Sequence, residues 1–293
     1  MPLWQGKSRG TPLGYRIFVA TLKHLGLTPA YALLHLVAFY YLVFSFKSSR
    51  ISYRFFRDRM HYSPGKAVTH VYKNYVRFGE SIIDKIAVLS GIPTRLSFNF
   101  DDEYLLHEMI SRGRGGLLLS AHIGNWEVAG NLLRRLKTKI NIVLFDGEDE
   151  AIRKYITGVT GDWQVGVIVL KEDLSHIYAI SEALRNNELI CMHADRFLEG
   201  NKTISTDFLG SKARFPIGPF VLAQTFKVPV TFVFAMKQTK FHYYLYGSQL
   251  LDDYSKEKTK GMQLMVDKFA ADMEEKVKLY PDQWYNFYNF WQA

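Results

Sequence analysis

Between Lys23 and Lys47 the chain carries no Lys, Arg, Asp or Glu, and Leu25 to Phe46 (LGLTPAYALLHLVAFYYLVFSF) is apolar apart from His35 and a few hydroxyls. Thr28 followed by Pro29 suits the start of a helix, Thr28 as cap and Pro29 at the first helical position. About 18 residues from there, at 1.5 Å each, reach about 27 Å, which barely spans a hydrocarbon core of about 30 Å. The pattern predicts a membrane anchor, spanning or embedded, with a buried core helix as the alternative. Lys7, Arg9, Arg16 and Lys23 precede it, and Lys47, Arg50, Arg54, Arg57 and Arg59 follow. The larger basic cluster favours a cytoplasmic side after the helix. The apolar run is long and no small-residue cleavage site follows it, which argues against a cleaved signal peptide.

Past this segment the rhythm changes. From Lys66 to Leu89, Val68, Val71, Tyr75, Phe78, Ile82 and Ile86 recur at helical spacing until Gly91 and Pro93 stop the pattern. Short apolar runs then read as buried strands: Gly116 to Ser120, Ile140 to Phe145, Val165 to Leu170, Leu189 to His193 and Val228 to Phe234. Helical patterns lie between them at Val128 to Leu136, Glu150 to Thr157 and Leu174 to Asn186, and a closing amphipathic helix runs from Ser255 to Leu279. Alternation of this kind predicts an α/β fold with a largely parallel central sheet flanked by helices, preceded by the hydrophobic helix. The expected division is residues 1–60, anchor and basic juxtamembrane segment, and residues 61–293, catalytic domain.

Composition narrows the partner. The 37 Lys and Arg against 28 Asp and Glu give a net charge of +9, which favours an acidic partner: nucleic acid, anionic lipid or an acidic carrier protein. An aromatic content of 15%, with 21 Phe and 18 Tyr, suits a membrane interface and tilts the choice towards lipid. Basic residues are dispersed and carry no nucleic-acid motif, so no nucleic-acid partner is expected. Cys191 is the single cysteine, which excludes an intrachain disulfide and fits a reducing compartment. Its place in an apolar strand marks a buried, inert thiol.

Candidate chemistry sits directly after two of the buried runs, where open α/β sheets bind their ligands. In GGLLLSAHIGNWEVAG, His122 and Glu127 are five apart. On one continuous helix they would diverge by about 140°. They meet only if His122 lies in the turn before the helix, where Gly124 lets the chain bend and Glu127 reaches back to one imidazole nitrogen. The other nitrogen then serves as general base, and backbone N–H groups near Gly124 and Asn125 are candidate oxyanion donors. In LICMHADRFLEG, His193 and Asp195 share one side of a strand end, and Arg196 is placed to hold an anionic group of a substrate. The competing reading makes Glu127 a helix cap beside a buried histidine, and Asp195 with Arg196 a turn-capping pair.

The string G-x-L-L-x-S-A-H-x-G-N-W-E, ending at Glu127, resembles the first signature block of the late lipid A biosynthesis acyltransferases, within the lysophospholipid acyltransferase superfamily. His193-Ala194-Asp195-Arg196 falls where that family has its Asp-containing block. Phe208-Leu209-Gly210, Phe215-Pro216 and Gly218-Pro219 are similar to the next stretch, and Pro281-Asp282-Gln283-Trp284 matches the P-x-Q-W closing signature. The resemblance spans roughly residues 15 to 293. Arg153 is the match to the family's intervening arginine, and Asn286 to Phe290 replace the basic residues that often follow the closing signature. The resemblance implies acyl transfer from an acyl carrier protein or acyl-CoA to a hydroxyl of a membrane glycolipid, a lipid A precursor. It implies direct attack without an acyl-enzyme or cofactor, at the cytoplasmic side of a bacterial inner membrane. A lysophospholipid or aminolipid acceptor is the alternative within this class.

Two readings of other classes use the same residues. His122, Glu127, His193 and Asp195 are possible metal ligands, but H-E-x-x-H or a comparably tight spacing is missing and no metal is expected. A basic lipid-binding protein without catalysis would use the terminal aromatics Tyr285, Phe287, Tyr288, Phe290 and Trp291 as an interface belt. Those aromatics could equally be core.

Overall fold

The computed structural model describes residues 12–125, 128, 136, 138–145, 165–171, 173–198 and 200–292. Its helices are α1 (Pro12–Leu25), α2 (Leu27–Phe44), α3 (Phe46–Arg54, running into a π-helical turn at Phe55–Arg59), α4 (Pro64–Leu89), α5 (Glu103–Ser111), α6 (Ser175–Arg185), α7 (Gly218–Phe226) and α8 (Lys258–Leu279). Its strands are β1 (Ser97–Asn99), β2 (Gly116–Ser120), β3 (Ile140–Phe145), β4 (Val165–Leu170), β5 (Leu189–His193), β6 (Thr203–Phe208), β7 (Ser211–Pro216), β8 (Val230–Lys237) and β9 (His242–Gly247).

Seven strands form one sheet in the order β1-β9-β8-β2-β5-β3-β4, and β6 with β7 makes a separate antiparallel hairpin. The pairs β2–β5, β2–β8, β3–β5 and β3–β4 are parallel, as the alternation of strand and helix predicts. Every residue of β2 is buried, because protein covers both faces of a central parallel strand. β9 pairs antiparallel with β8, and β1 adds parallel to β9; hydropathy shows neither, because Tyr-rich HYYLYG and the three residues of β1 carry weak patterns. β8 also starts and ends later than Val228 to Phe234. Pro229 has no N–H for a ladder, and the strand continues through Lys237, whose charge is neutralised inside the fold.

The N-terminal apolar run is bounded by Gly26 at φ 84°, so the helix opens at Leu27 and places Thr28 within its first turn rather than at its cap. α2 packs on α4 with Leu27, Ala30, Tyr31, Leu34 and Ala38 buried. Gly79 of α4 permits the approach: a Cβ there would lie 2.1 Å from Leu34 Cδ1. The opposite face of α2 is apolar and exposed, Leu36 at 71% and Phe44 at 70%. Among the described residues α2 is the one helix long and apolar enough to cross a membrane.

α4 extends from Pro64 to Leu89 as its periodicity predicts, and α8 begins at Lys258, three residues inside the expected span. α6 starts at Ser175, since Leu174 sits at φ 60°. The helices expected at Val128 to Leu136 and Glu150 to Thr157 fall almost wholly outside the described residues. The terminal aromatics are largely core: Trp284 and Phe290 are each 2% exposed, and Trp284 meets Phe55 edge to face at 5.0 Å.

Candidate active site

β2 and β5 lie side by side with Ser120 opposite His193, so the segments leaving their carboxyl ends emerge together. Ala194 N donates to Ser120 O at 2.8 Å, which holds the two exits in contact. Asp195, 1% exposed, then meets His122 twice: the backbone N–H of His122 donates to Oδ2 at 3.1 Å, and Nδ1 lies 2.8 Å from Oδ1. Burial alone would raise the Asp195 carboxyl, but His122, its hydrogen bond and Arg196 outweigh it and hold the group well below the usual carboxylate range. Arg196 Nε stands 3.9 Å from Asp195 Oδ2, and its Nη2 donates to Tyr285 O at 2.8 Å. The His193 ring lies 4.2 Å from that of His122. Burial first, then the nearby His122, press His193 well below the ordinary imidazole range and keep it neutral.

The turn that carries His122 is clamped from two sides. Gly124 takes φ 66°, and a Cβ on it would fall 2.1 Å from Ala235 O, so conformation and space both demand glycine. Gly124 N donates to Gln283 O at 2.9 Å and Asn125 N to Ala235 O at 2.7 Å. Tyr285 N donates to His122 O at 3.1 Å, and Ile123 forms an antiparallel bridge with Trp284. The P-D-Q-W segment therefore supports the turn under His122. Asn74 of α4 holds that segment in place, donating to Asp282 O at 2.9 Å and Trp284 O at 3.0 Å.

Beside the dyad, the sheet face carrying Leu118, Cys191, Val233 and Ala235 lines an apolar pocket closed by Phe100 and Leu245. Ser120, His193 and Tyr246 bring its polar groups, and Ser120 Oγ is buried with no hydrogen-bond partner. Burial pushes the Cys191 thiol up to about 12, so this wall is chemically inert.

The structure thus gathers His122, Gly124, Asn125, Asp195 and Arg196 in one place, whereas Glu127 and Arg153 lie outside the described residues. The contact of Asp195 with His122 was not legible from spacing, because 73 residues separate them. Nor was the job of Gln283, visible in sequence only as a signature letter. His122, His193 and Asp195 offer ligand atoms within 4.8 Å of one another, the set among the described residues that could share a metal. Two of those groups are already committed to each other at 2.8 Å, an arrangement that suits a hydrogen-bonded dyad better than a metal cradle.

A histidine hydrogen-bonded to a buried carboxylate thus stands at the mouth of an α/β sheet, next to an apolar pocket. Residues 71–293 match the family described as bacterial lipid A biosynthesis acyltransferase, and the chain belongs to it. It is 29% identical over 119 residues to a phosphatidylinositol mannoside acyltransferase of Mycobacterium tuberculosis, covering 40% of this chain and 37% of that protein. It is 27% identical over 202 residues to the phosphatidylinositol mannoside acyltransferase of Mycolicibacterium smegmatis, covering 64% of this chain and 60% of that protein. The chain thus spans less than two thirds of the length of either relative. The 1-acyl-sn-glycerophosphate acyltransferase structure from Thermotoga maritima aligns with a TM-score of 0.40 at 14% identity, covering 85% of this chain and 97% of that one.

Proposed function

We propose that this protein transfers a fatty acyl chain from an acyl carrier protein or acyl-CoA thioester to a hydroxyl of a membrane glycolipid, a lipid A precursor or a related mannolipid. The observation that carries the reading is the His122–Asp195 pair. With Nδ1 committed to Asp195, Nε2 takes the proton from the acceptor hydroxyl as its oxygen attacks the thioester carbonyl. The tetrahedral intermediate collapses, the C–S bond breaks, and the departing sulfur takes that proton back from His122, leaving ester and thiol. The backbone N–H groups of Gly124 and Asn125 are spent on Gln283 and Ala235, so the oxyanion is assigned instead to the unpartnered Ser120 Oγ, with the acyl chain in the adjoining pocket. The reading keeps Glu127 as a carboxylate that stabilises the imidazolium through its charge, since Asp195 takes Nδ1 and the substrate takes Nε2, and Arg153 and Arg196 take anionic parts of the substrates. No metal and no cofactor enter the reaction.

The work takes place at the cytoplasmic side of the bacterial inner membrane. α2 is read as embedded through its exposed face rather than surrounded by lipid, since its other face is buried on α4. Mass spectrometry of membrane lipids from cells with and without the gene identifies acceptor and chain length. His122→Ala is expected to lower turnover about 10²- to 10⁴-fold with the fold intact. Asp195→Asn should cost much in the native enzyme and almost nothing in the His122→Ala background, because the carboxylate acts through the imidazole. Wild-type turnover by purified His122→Ala enzyme overturns the reading.

A further inference from the structure

Behind the catalytic turn lies a knot of buried charge that the reaction does not use. Lys237 of β8 is 3% exposed, and its Nζ stands 2.7 Å from Asp84 Oδ2 and 3.3 Å from Glu80 Oε2, both on α4. It also donates to Tyr31 Oη on α2 at 2.9 Å. Asp84, fully buried, accepts hydrogen bonds from the hydroxyls of Tyr31 and of Tyr243 on β9. Four elements therefore converge on one carboxylate, including the helix whose outer face is apolar and exposed.

Two routes lead from this knot to His122. The Tyr243 hydroxyl accepts from Asn125 Nδ2 at 3.4 Å, and the same amide donates to Ser81 O of α4 at 2.9 Å. Along the second route, the main chain of Lys237 is gripped on both sides by the Gln283 amide, which accepts from Lys237 N at 2.9 Å and donates to Lys237 O at 2.8 Å. Gln283 O in turn accepts from Gly124 N at 2.9 Å. Asn125 and Gly124 are the residues that bend the chain just after His122.

Burying ions is an expensive way to hold a fold together, since well-packed apolar residues of similar volume often do as well or better. What ions and hydroxyls add is direction: each hydrogen bond fixes a position that packing would leave to slide. We infer that the Asp84–Lys237–Glu80 cluster, closed by Tyr31, is a positioning element for the catalytic turn, and that it makes the placement of His122 depend on the docking of α2. The inference rests on the general-base role of His122 proposed above. Tyr31, Tyr243, Asp84 and Lys237 are positioning residues that touch no substrate, and a lipid-embedded helix is thereby tied to the geometry of the base.

The test uses the full-length chain in membranes, with palmitoyl-CoA as donor and the host's own membrane lipids as acceptor, and reads kcat, KM for palmitoyl-CoA and the thermal midpoint. Because Asp84→Ala strands a buried lysine and can fail to fold, the informative variants are Tyr31→Phe and Tyr243→Phe, which each delete one oxygen, and the neutral pair Asp84→Asn with Lys237→Met. A displacement of about 1 Å costs about 10²-fold in rate, so a partial displacement should lower kcat by about tenfold or more while KM and the melting midpoint stay near wild type. Tyr243→Phe and Asn125→Ala should combine less than additively, as steps of one route. Folded variants that keep wild-type kcat overturn the inference, and so do variants that lose only thermal stability. His122→Ala run in parallel separates the failures: if it is active, the base assignment has failed. If it is inactive while Tyr31→Phe and Tyr243→Phe turn over normally, the positioning role alone has failed.

Discussion

His193 stands one strand from His122 and is kept neutral by its surroundings, which has a cost on acidification. The unfolded chain takes up a proton near the ordinary imidazole value of about 6.5, whereas the folded chain refuses it until far lower pH. Between these limits the unfolded state binds more protons, so stability falls as pH falls. The Asp195 carboxyl is also depressed, and its contribution, present above the ordinary carboxylate value of about 3.9, is lost only as pH drops below it. The two losses begin at different pH, that of His193 near 6.5 and that of Asp195 only below about 3.9. His193→Asn should flatten the decline in thermal midpoint between about pH 7 and pH 5, a range in which the Asp195 contribution is still fully present. Calorimetry across that range checks it, and an unchanged slope would show that His193 is not the group responsible. At this scale the sequence exposed the polar residues that follow buried runs, because a polar side chain breaking an apolar strand is visible in one dimension. It hid their pairing, since the partner of His122 in the fold is chosen by strand order and not by spacing.

The elements that were legible are those whose hydropathy follows one burial rule over their whole length. β2, β3 and β5 are buried along most of their length and, with the half-buried edge strand β4, read as apolar runs, and α4 repeats its buried stripe along a helix of 26 residues. β6 and β7 escaped because their burial alternates unevenly and half their residues are polar. Lys237 misled the boundary of β8, because a lysine neutralised by two acids from a distant helix looks like a strand end. The closing segment escaped in another way: Trp284 reads in sequence only as the last letter of the closing signature, yet it packs on Phe55, Phe208 and Phe290 with ring centres 5.0, 5.5 and 5.2 Å away. Trp284→Ala should cost about 3–5 kcal/mol, because so large a cavity among rigid rings closes poorly. Its bridge to Ile123 means that turnover should fall in the variant even at temperatures where it stays folded. Urea unfolding gives the first quantity, and a loss below about 1 kcal/mol would mean that the aromatic cluster collapses into the gap.

For the whole molecule, the two faces of α2 make opposite demands. Its inner face contributes Tyr31 and Leu34 to the core, while Leu36, Phe39, Val43 and Phe44 stand 71%, 61%, 51% and 70% exposed. Replacing those four with Ser or Gln should leave the α2–α4 contact intact and release the protein from liposomes in a flotation assay. Removing residues 12–44 altogether should instead give aggregated protein, because it uncovers α4 and takes Tyr31 from Asp84. Continued flotation of the folded quadruple variant would show that another surface meets the membrane. The register of the central sheet acts on the same global scale. Ser120 faces His193 across β2 and β5, and among the described residues the segment between these strands contains two further strands and a helix. A slip of one residue would turn Leu118 and Ser120 to the opposite face and carry His122 away from Asp195. No partly correct sheet can therefore be partly active. Turnover counts the molecules whose two central strands found each other in the right frame, and an activity assay during refolding would time that event directly.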